Sequence, residues 1–170
     1  MKTPVIETNR MILRPLSVSD ANDIYERWTS DARVSRYVRW CTHNCVNDTI
    51  EWLKAEEASI SDNNSYQWGF SLKDNGYLLG SGGLVYNEKE NAFELGYNIM
   101  HKYWNCGYTT EAAKAILEFA VKELNQTEFI ACHAVDNPAS GAVIRKCGFV
   151  YEYNDKCTKF DGVTSFDTKV

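Results

Sequence analysis

A strand that runs through a glycine-containing turn into a helix constrains this chain more than any other feature. In Phe93-Glu94-Leu95-Gly96-Tyr97-Asn98-Ile99 apolar residues fall at every second position, the period of a strand. Beyond the turn they recur at Ala113, Ile116, Leu117, Ala120, Val121 and Leu124, the stripe of an amphipathic helix. The turn itself is Trp104-Asn105-Cys106-Gly107-Tyr108-Thr109-Thr110-Glu111. Amides at a helix start have no partner within the helix, and the helix dipole is positive there, so an anion such as a phosphate is favoured. Many α/β proteins carry such a turn and bind nothing at it. A second unit follows directly. Residues 129–135 read as a strand, and Asn137-Pro138-Ala139-Ser140 reads as a helix start, with Asn at the cap and Pro at the first helical position. Lys146-Cys147-Gly148-Phe149 closes that helix with Gly at the stop position.

The whole chain narrows the function classes. Its 170 residues are expected to form one domain, 1–170, long enough to bury about 70% of the unfolded surface. A hydrophobic content of 44% with three prolines argues for a globular chain. Eighteen basic residues against 23 acidic ones give a net charge of −5, which disfavours nucleic acid as a partner, because phosphate neutralisation needs a basic surface. No apolar run approaches the roughly 20 residues that span a bilayer, and the N-terminus lacks a secretory apolar segment. The expected location is therefore cytoplasmic, away from membranes, with the six cysteines as reduced thiols. Cys41, His43 and Cys45 sit within five residues, but a second ligand cluster at zinc spacing is missing, so no metal is expected.

In chain order, residues 5–16 read as a first strand. Ser19-Asp20 caps a helix running to about Thr29. Residues 33–45 mix Arg33, Arg36 and Arg39 with Tyr37 and Trp40; in a net acidic chain this reads as a short helix and loop with its rings packed inward. Asn47 or Asp48 caps a helix to about Ile60. Residues 66–73 and 78–86 form a hairpin across Asp74-Asn75-Gly76, and residues 149–160 and 163–170 form a last one across Asp161-Gly162. The order is β-α-α-β-β-β-α-β-α-β-β, an α+β chain.

Four stretches together resemble a known family. Trp104-Asn105-Cys106-Gly107-Tyr108-Thr109-Thr110-Glu111-Ala112 is similar to the acetyl-coenzyme A pyrophosphate loop of the GCN5-related N-acetyltransferases (GNAT). Within that family it resembles the branch of the ribosomal-protein N-terminal acetyltransferases (RimJ/RimL type). Glu94-Leu95-Gly96-Tyr97, the stretch from Asn137 to Phe149, and Glu7-Thr8-Asn9-Arg10-Met11-Ile12-Leu13-Arg14-Pro15 match the same branch in order and spacing. The resemblance implies a mixed, mostly antiparallel sheet flanked by helices. The strands around residues 94–99 and 129–135 splay apart in that fold, and the pantetheine arm lies between them. Relatives often continue a few residues further, so the last strand is expected to run to Val170.

The implied reaction is direct attack of a primary amine on the acetyl-coenzyme A thioester. The acceptor would be a protein N-terminal α-amine or a small-molecule amine; monomer and homodimer both fit. Backbone amides from Trp104, Asn105, Cys106, Gly107, Tyr108, Thr109 and Thr110 would hold the pyrophosphate, with Gly107 allowing close approach. Asn105 and Cys106 depart from the branch's Gly and Lys, and Thr109 from a small Ala or Gly. An amide at Ile99 or Met100 would polarise the thioester carbonyl. Glu94 is the candidate general base, through a water, or else a solvated strand carboxylate; His133 is a weaker candidate. The tyrosine that many members place seven positions after the asparagine is Ile144 here. The resemblance gives its role toward the departing thiolate to Ser140, which otherwise serves only the helix start. Asn137 caps the helix and would also meet the pantetheine or acceptor. Cys106 and Cys147 are not needed, since direct transfer forms no acyl-enzyme. Residues 33–45 would lie over the acceptor groove, with Trp28, Tyr37 and Trp40 on the acceptor side. The alternative is a non-catalytic acyl-coenzyme A-binding or regulatory domain on the same fold.

Overall fold

The computed structural model describes residues 2–170. Strand β1 (Ile6–Glu7) turns back into β2 (Met11–Arg14). The expected single strand over residues 5–16 is thus a hairpin. Thr8 makes the turn: its N–H donates to the Met11 carbonyl (2.9 Å) and its Oγ1 accepts from the Met11 N–H (3.0 Å). Arms this short, Ile6-Glu7 and Met11-Ile12-Leu13-Arg14, show no periodicity that could reveal the reversal. A helical stretch follows as a 3₁₀ turn (Val18–Asp20), α1 (Ala21–Ile24) and a π turn (Tyr25–Thr29). Its start is a capping box between Ser17 and Asp20, one position pair earlier than expected. Short α2 (Ala32–Ser35) precedes α3 (Val46–Ser59). Cys45, not Asn47 or Asp48, is the N-cap of α3, while Asp48 sits at the third helical position and accepts from the Asn44 and Cys45 amides.

Strands β3 (Ser65–Leu72), β4 (Leu78–Asn87) and β5 (Ala92–Ile99) form an antiparallel meander behind β1 and β2. A 3₁₀ turn (His101–Tyr103) and α4 (Tyr108–Glu123) cross over to β6 (Phe129–Ile130), which pairs parallel to β5 and completes a six-stranded sheet. The expected strand over residues 129–135 divides here. Its second part, β7 (His133–Ala134), leaves the large sheet and joins a three-stranded one with β8 (Asn154–Thr158) and β9 (Ser165–Lys169), after α5 (Pro138–Lys146). Beyond β9, Val170 donates to the Tyr153 carbonyl at 2.9 Å.

Two cores fix this arrangement. The larger lies between the sheet and α4, where Ala112, Ala113, Ile116, Phe119 and Ala120 meet Tyr66, Trp68, Phe70, Leu84, Phe93 and Leu95. Side chains at alternate positions of β5 (Phe93, Leu95, Tyr97, Ile99) share the α4 side, and Glu94, Gly96 and Asn98 share the other. The smaller core gathers Leu16, Ile24, Trp28, Val34 and Leu53 between the N-terminal helical stretch, α3 and β4.

One polar clamp joins the first hairpin to α4. Glu111 Oε1 accepts from Thr8 Oγ1 (2.7 Å) and the Arg10 N–H (2.8 Å), and Oε2 accepts from Arg10 Nε (2.7 Å). Partial burial opposes the charge of Glu111, but these bonds outweigh it and hold the carboxyl below its ordinary value of 4.5. A group with a lowered folded-state value stabilises the fold above its unfolded value and loses that contribution as the pH falls through the folded value. Glu111→Gln should therefore lower the melting temperature at neutral pH. The gap from the parent should shrink below about pH 4.5. A gap independent of pH in a thermal titration would show that the clamp's charge contributes nothing.

Candidate functional site

The site begins where β5 and β6 stop pairing. Their register ends at Glu94 opposite Ile130, while β5 continues to Ile99 and the chain after β6 turns into the other sheet. In an antiparallel ladder, successive residues direct their backbone groups to opposite edges. The Met100 N–H donates to the Leu79 carbonyl at 2.8 Å, which assigns Met100 to the β4 edge. Tyr97 and Ile99 accordingly turn their N–H groups to the edge that β6 has left. The Met100 amide, one of the two expected near the thioester carbonyl, is thus committed to the sheet, and Ile99 carries the one on the open edge. The Ile99 carbonyl accepts from the Trp104 indole N–H at 2.9 Å.

The loop after β5 meets the same opening. Gly107 is the N-cap of α4 with φ of 81°, a left-handed conformation that glycine adopts without strain. Asn105 is also left-handed, with φ of 59°. Asparagine is among the few residues that tolerate this region, so the departure from glycine at 105 keeps the backbone path. The first internal bond of α4 runs from the Glu111 N–H to the Gly107 carbonyl at 3.1 Å, so the Tyr108, Thr109 and Thr110 amides lie ahead of it. Trp104 departs from expectation: its amide donates to the His101 carbonyl at 3.2 Å inside the 3₁₀ turn. Arg10 also reaches this loop, which the sequence did not reveal. Its Nη1 donates to the Cys106 carbonyl (3.1 Å) and its guanidinium lies 4.0 Å from the Tyr108 ring centroid.

Glu94 lies on the face of β5 opposite α4, with its side chain 18% exposed. Asn87 Nδ2 donates to Oε2 at 3.0 Å, and Arg39 Nη2 lies 3.3 Å from both oxygens. Next along this face is Gly96, where an added Cβ would meet nothing within 4 Å. Then comes Asn98, whose Nδ2 donates to Ser81 Oγ at 2.9 Å and whose Oδ1 is buried with no partner among the described residues. A carboxylate therefore stands beside an open space at Gly96, an arrangement suited to an ammonium group or a bridging water.

On the other side, Asn137 Oδ1 accepts from the Ser140 N–H at 3.2 Å, capping α5. Ser140 Oγ lies 3.0 Å from the Tyr97 hydroxyl, which is also 3.1 Å from the Ser140 carbonyl. The sequence showed Tyr97 in the strand pattern and in the Glu94-Leu95-Gly96-Tyr97 match but gave it no role, because its partner lies 43 positions away. Ile144 is buried in the main core. His133 Nδ1 donates to the Ala134 carbonyl (2.8 Å), and its ring packs so closely on α5 that a Cβ on Gly141 would lie 2.7 Å from it.

Trp28 requires correction as an acceptor-side residue. It is 0% exposed in the smaller core, so its ring cannot line a groove. Tyr37 and Trp40 are partly exposed: Tyr37 meets the Phe166 ring edge-on at 6.3 Å, and Trp40 packs near His43 at 5.7 Å. The cysteines are poor nucleophiles where their state is defined. Burial, aided by Glu94, pushes the Cys132 thiol up to about 12, and burial also raises Cys147. His43 Nδ1 is 2.7 Å from Thr49 Oγ1, and among the described residues no three His, Cys, Asp or Glu side chains form a metal-binding group. No helix among them is long and apolar enough to cross a membrane.

These features agree with comparison to known proteins. Residues 10–150 match the family described as "Acetyltransferase (GNAT) domain". YnaD of Bacillus subtilis, named an uncharacterized N-acetyltransferase, is 31% identical over 153 residues, covering 89% of this chain and 86% of its own. The crystal structure of a GNAT-family acetyltransferase from Bacillus anthracis superposes with a TM-score of 0.82 at 24% identity, covering 98% of this chain and 95% of that one. RimL, a ribosomal α-N-protein acetyltransferase solved in complex with coenzyme A, shares the fold with a TM-score of 0.81 at 16% identity, covering 98% and 96%. The match over residues 10–150, on a sheet that opens beside a left-handed loop and a helix start, shows that the chain belongs to the GNAT acetyltransferase family.

Proposed function

We propose that this protein transfers the acetyl group of acetyl-coenzyme A to a primary amine by direct attack on the thioester. The observation that carries this reading is the end of β5–β6 pairing at Glu94, which leaves the Tyr97 and Ile99 edge facing an opening with Glu94 on one face of the strand and Ser140 beside the other.

Each residue meets one demand of the reaction. The Tyr108, Thr109 and Thr110 amides, with the left-handed path through Asn105, Cys106 and Gly107, hold the pyrophosphate by backbone donation and helix dipole. The Ile99 N–H donates to the thioester oxygen as negative charge develops there. A protonated amine is no nucleophile, so its proton must leave first. Glu94 takes it through a water. The open space over Gly96 admits the amine beside Arg39, and Tyr37 and Trp40 of the same 33–45 segment contact the acceptor beyond it. Ser140 donates to the sulfur as the carbon–sulfur bond breaks, and Asn137 fixes the serine backbone. The acceptor is a protein α-amine or a small-molecule amine of a size that the groove admits, and acetyl-coenzyme A is consumed as co-substrate.

The direct test incubates the protein with acetyl-coenzyme A and a panel of N-terminal peptides, lysine peptides, polyamines, aminoglycosides and amino acids, followed by mass spectrometry. At least one acetylated product is expected. Coenzyme A binding without any product would instead favour a regulatory acyl-coenzyme A-binding domain. With the productive acceptor, Glu94→Gln and Ser140→Ala should each lower kcat by about 100-fold while leaving acetyl-coenzyme A affinity unchanged; full rates in both would remove their catalytic roles. Gly107→Val places a β-branched residue at φ of 81°, where only Arg10 Nη2 lies within 4 Å, so backbone strain and not crowding deforms the loop. Calorimetry should show acetyl-coenzyme A binding weakened about tenfold or more, and native affinity would sink the loop's assignment. Gly96→Val should act in the opposite sense, cutting kcat/KM for the amine by about tenfold with cofactor affinity unchanged. An unaffected amine would move the acceptor site elsewhere.

A further inference from the structure

As a donor to sulfur, the Ser140 hydroxyl must hold one orientation, and Tyr97 lies within reach to fix it. Tyr97 is the residue of β5 whose side chain spans the opening. Its Cβ stands against Gly82 of β4, where an added Cβ would come within 2.8 Å of it. Its hydroxyl ends between two oxygens of one residue, Ser140 Oγ at 3.0 Å and the Ser140 carbonyl at 3.1 Å. A phenol has one proton for these two acceptors. With that proton on the carbonyl, the serine hydroxyl donates back to the phenol oxygen. With it on Oγ, the serine's own proton is released to point elsewhere. The Ser140 backbone cannot adjust instead, because its N–H is held by Asn137 at 3.2 Å.

We propose that Tyr97 is a positioning residue for Ser140: its hydroxyl donates to the serine Oγ, so that the serine O–H is presented to the sulfur of the departing coenzyme A. This rests on the acetyltransferase reading. In the step concerned the carbon–sulfur bond breaks and its electron pair passes to sulfur. Ser140 donates a hydrogen bond to that thiolate without losing its proton, and the amine's proton leaves by way of Glu94. Burial pushes the Tyr97 hydroxyl up to about 12, so it keeps its proton throughout the neutral range. Nothing in this role requires the phenol to give that proton up.

The thiol of bound coenzyme A reports the role without any amine acceptor. The parent, Tyr97→Phe, Ser140→Ala and the double variant would each be saturated with coenzyme A or with desulfo-coenzyme A. The thiolate absorbance, taken as the difference between the two complexes, would then be titrated with pH. A donor at sulfur stabilises the thiolate, so either single change should raise the bound thiol's midpoint by about 0.5–1 unit. The double variant should shift no further than Ser140→Ala alone, since Tyr97 acts through the serine. A tyrosine that only braces α5 against the sheet would lower thermal stability and leave the thiol midpoint in place, and that result overturns the proposal. Additive shifts in the double variant overturn it too. Failure of coenzyme A to bind the parent overturns the acetyltransferase reading and this role with it. Normal binding with an unmoved midpoint in Tyr97→Phe overturns the positioning role alone.

Discussion

The structure depends on one interruption of hydrogen bonding: β5 and β6 pair at Phe93 and Glu94, and then part. Unpaired backbone groups inside a sheet are costly, because a buried N–H or C=O without a partner loses its hydration for nothing. A fold keeps such an edge only where something else can satisfy it. Here the rest of the chain is arranged to hold the interruption open. Strand β7 is drawn into the small sheet by β9, α4 packs beneath β5, and α5 begins beside the opening with its first turn capped by Asn137. The extended pantetheine arm of a coenzyme A thioester matches such an edge, because it carries amide donors and acceptors of its own.

The loop ahead of α4 shows how a departing sequence keeps a geometry. Two left-handed residues, Asn105 and Gly107, carry the chain into the helix start. Losing glycine at 105 matters little, since asparagine accepts that conformation, while the carbonyl of Cys106 is tied from outside by Arg10. Arg10 is itself held by Glu111 from the first turn of α4, so the N-terminal hairpin and the loop are one braced unit. Arg10 thus places a cation, paired with Glu111, at the loop.

A second unit reaches Glu94 from the opposite direction. Arg39 brings residues 33–45 onto the carboxylate, and the last hairpin secures that segment: the Phe160 N–H donates to the Arg39 carbonyl at 2.9 Å, and Lys159 Nζ donates to the Ser35 carbonyl at 2.6 Å. Exposed ion pairs of this kind contribute little to stability. The side chain of Arg39 is half exposed, so its pairing with Glu94 is better regarded as an arrangement at the groove than as a fastening of the fold.

The sequence alone determined whatever depends on neighbours along the chain. Period-two alternation defined β5, the Asp74-Asn75-Gly76 turn signal defined the hairpin of β3 and β4, the 3.6-residue stripe defined α4, and Asn137-Pro138 with Gly148 bounded α5, because strand pleat, turn, helix pitch and caps are local properties. The glycine turn that starts α4 was legible for the same reason. The tertiary structure decided everything that depends on which distant segments meet. The apolar run over 129–135 reads the same whether one sheet or two claim it, and residues 5–16 read as one strand across a reversal that Thr8 makes. Trp28 looked like a groove residue until Leu53 and Ile24 closed over it. The partners of Glu94 at Arg39, and of Ser140 at Tyr97, lie 55 and 43 positions away, so no local pattern could announce them. Hydrogen bonds between side chains act over about 3 Å, and only the folded chain brings such residues that close.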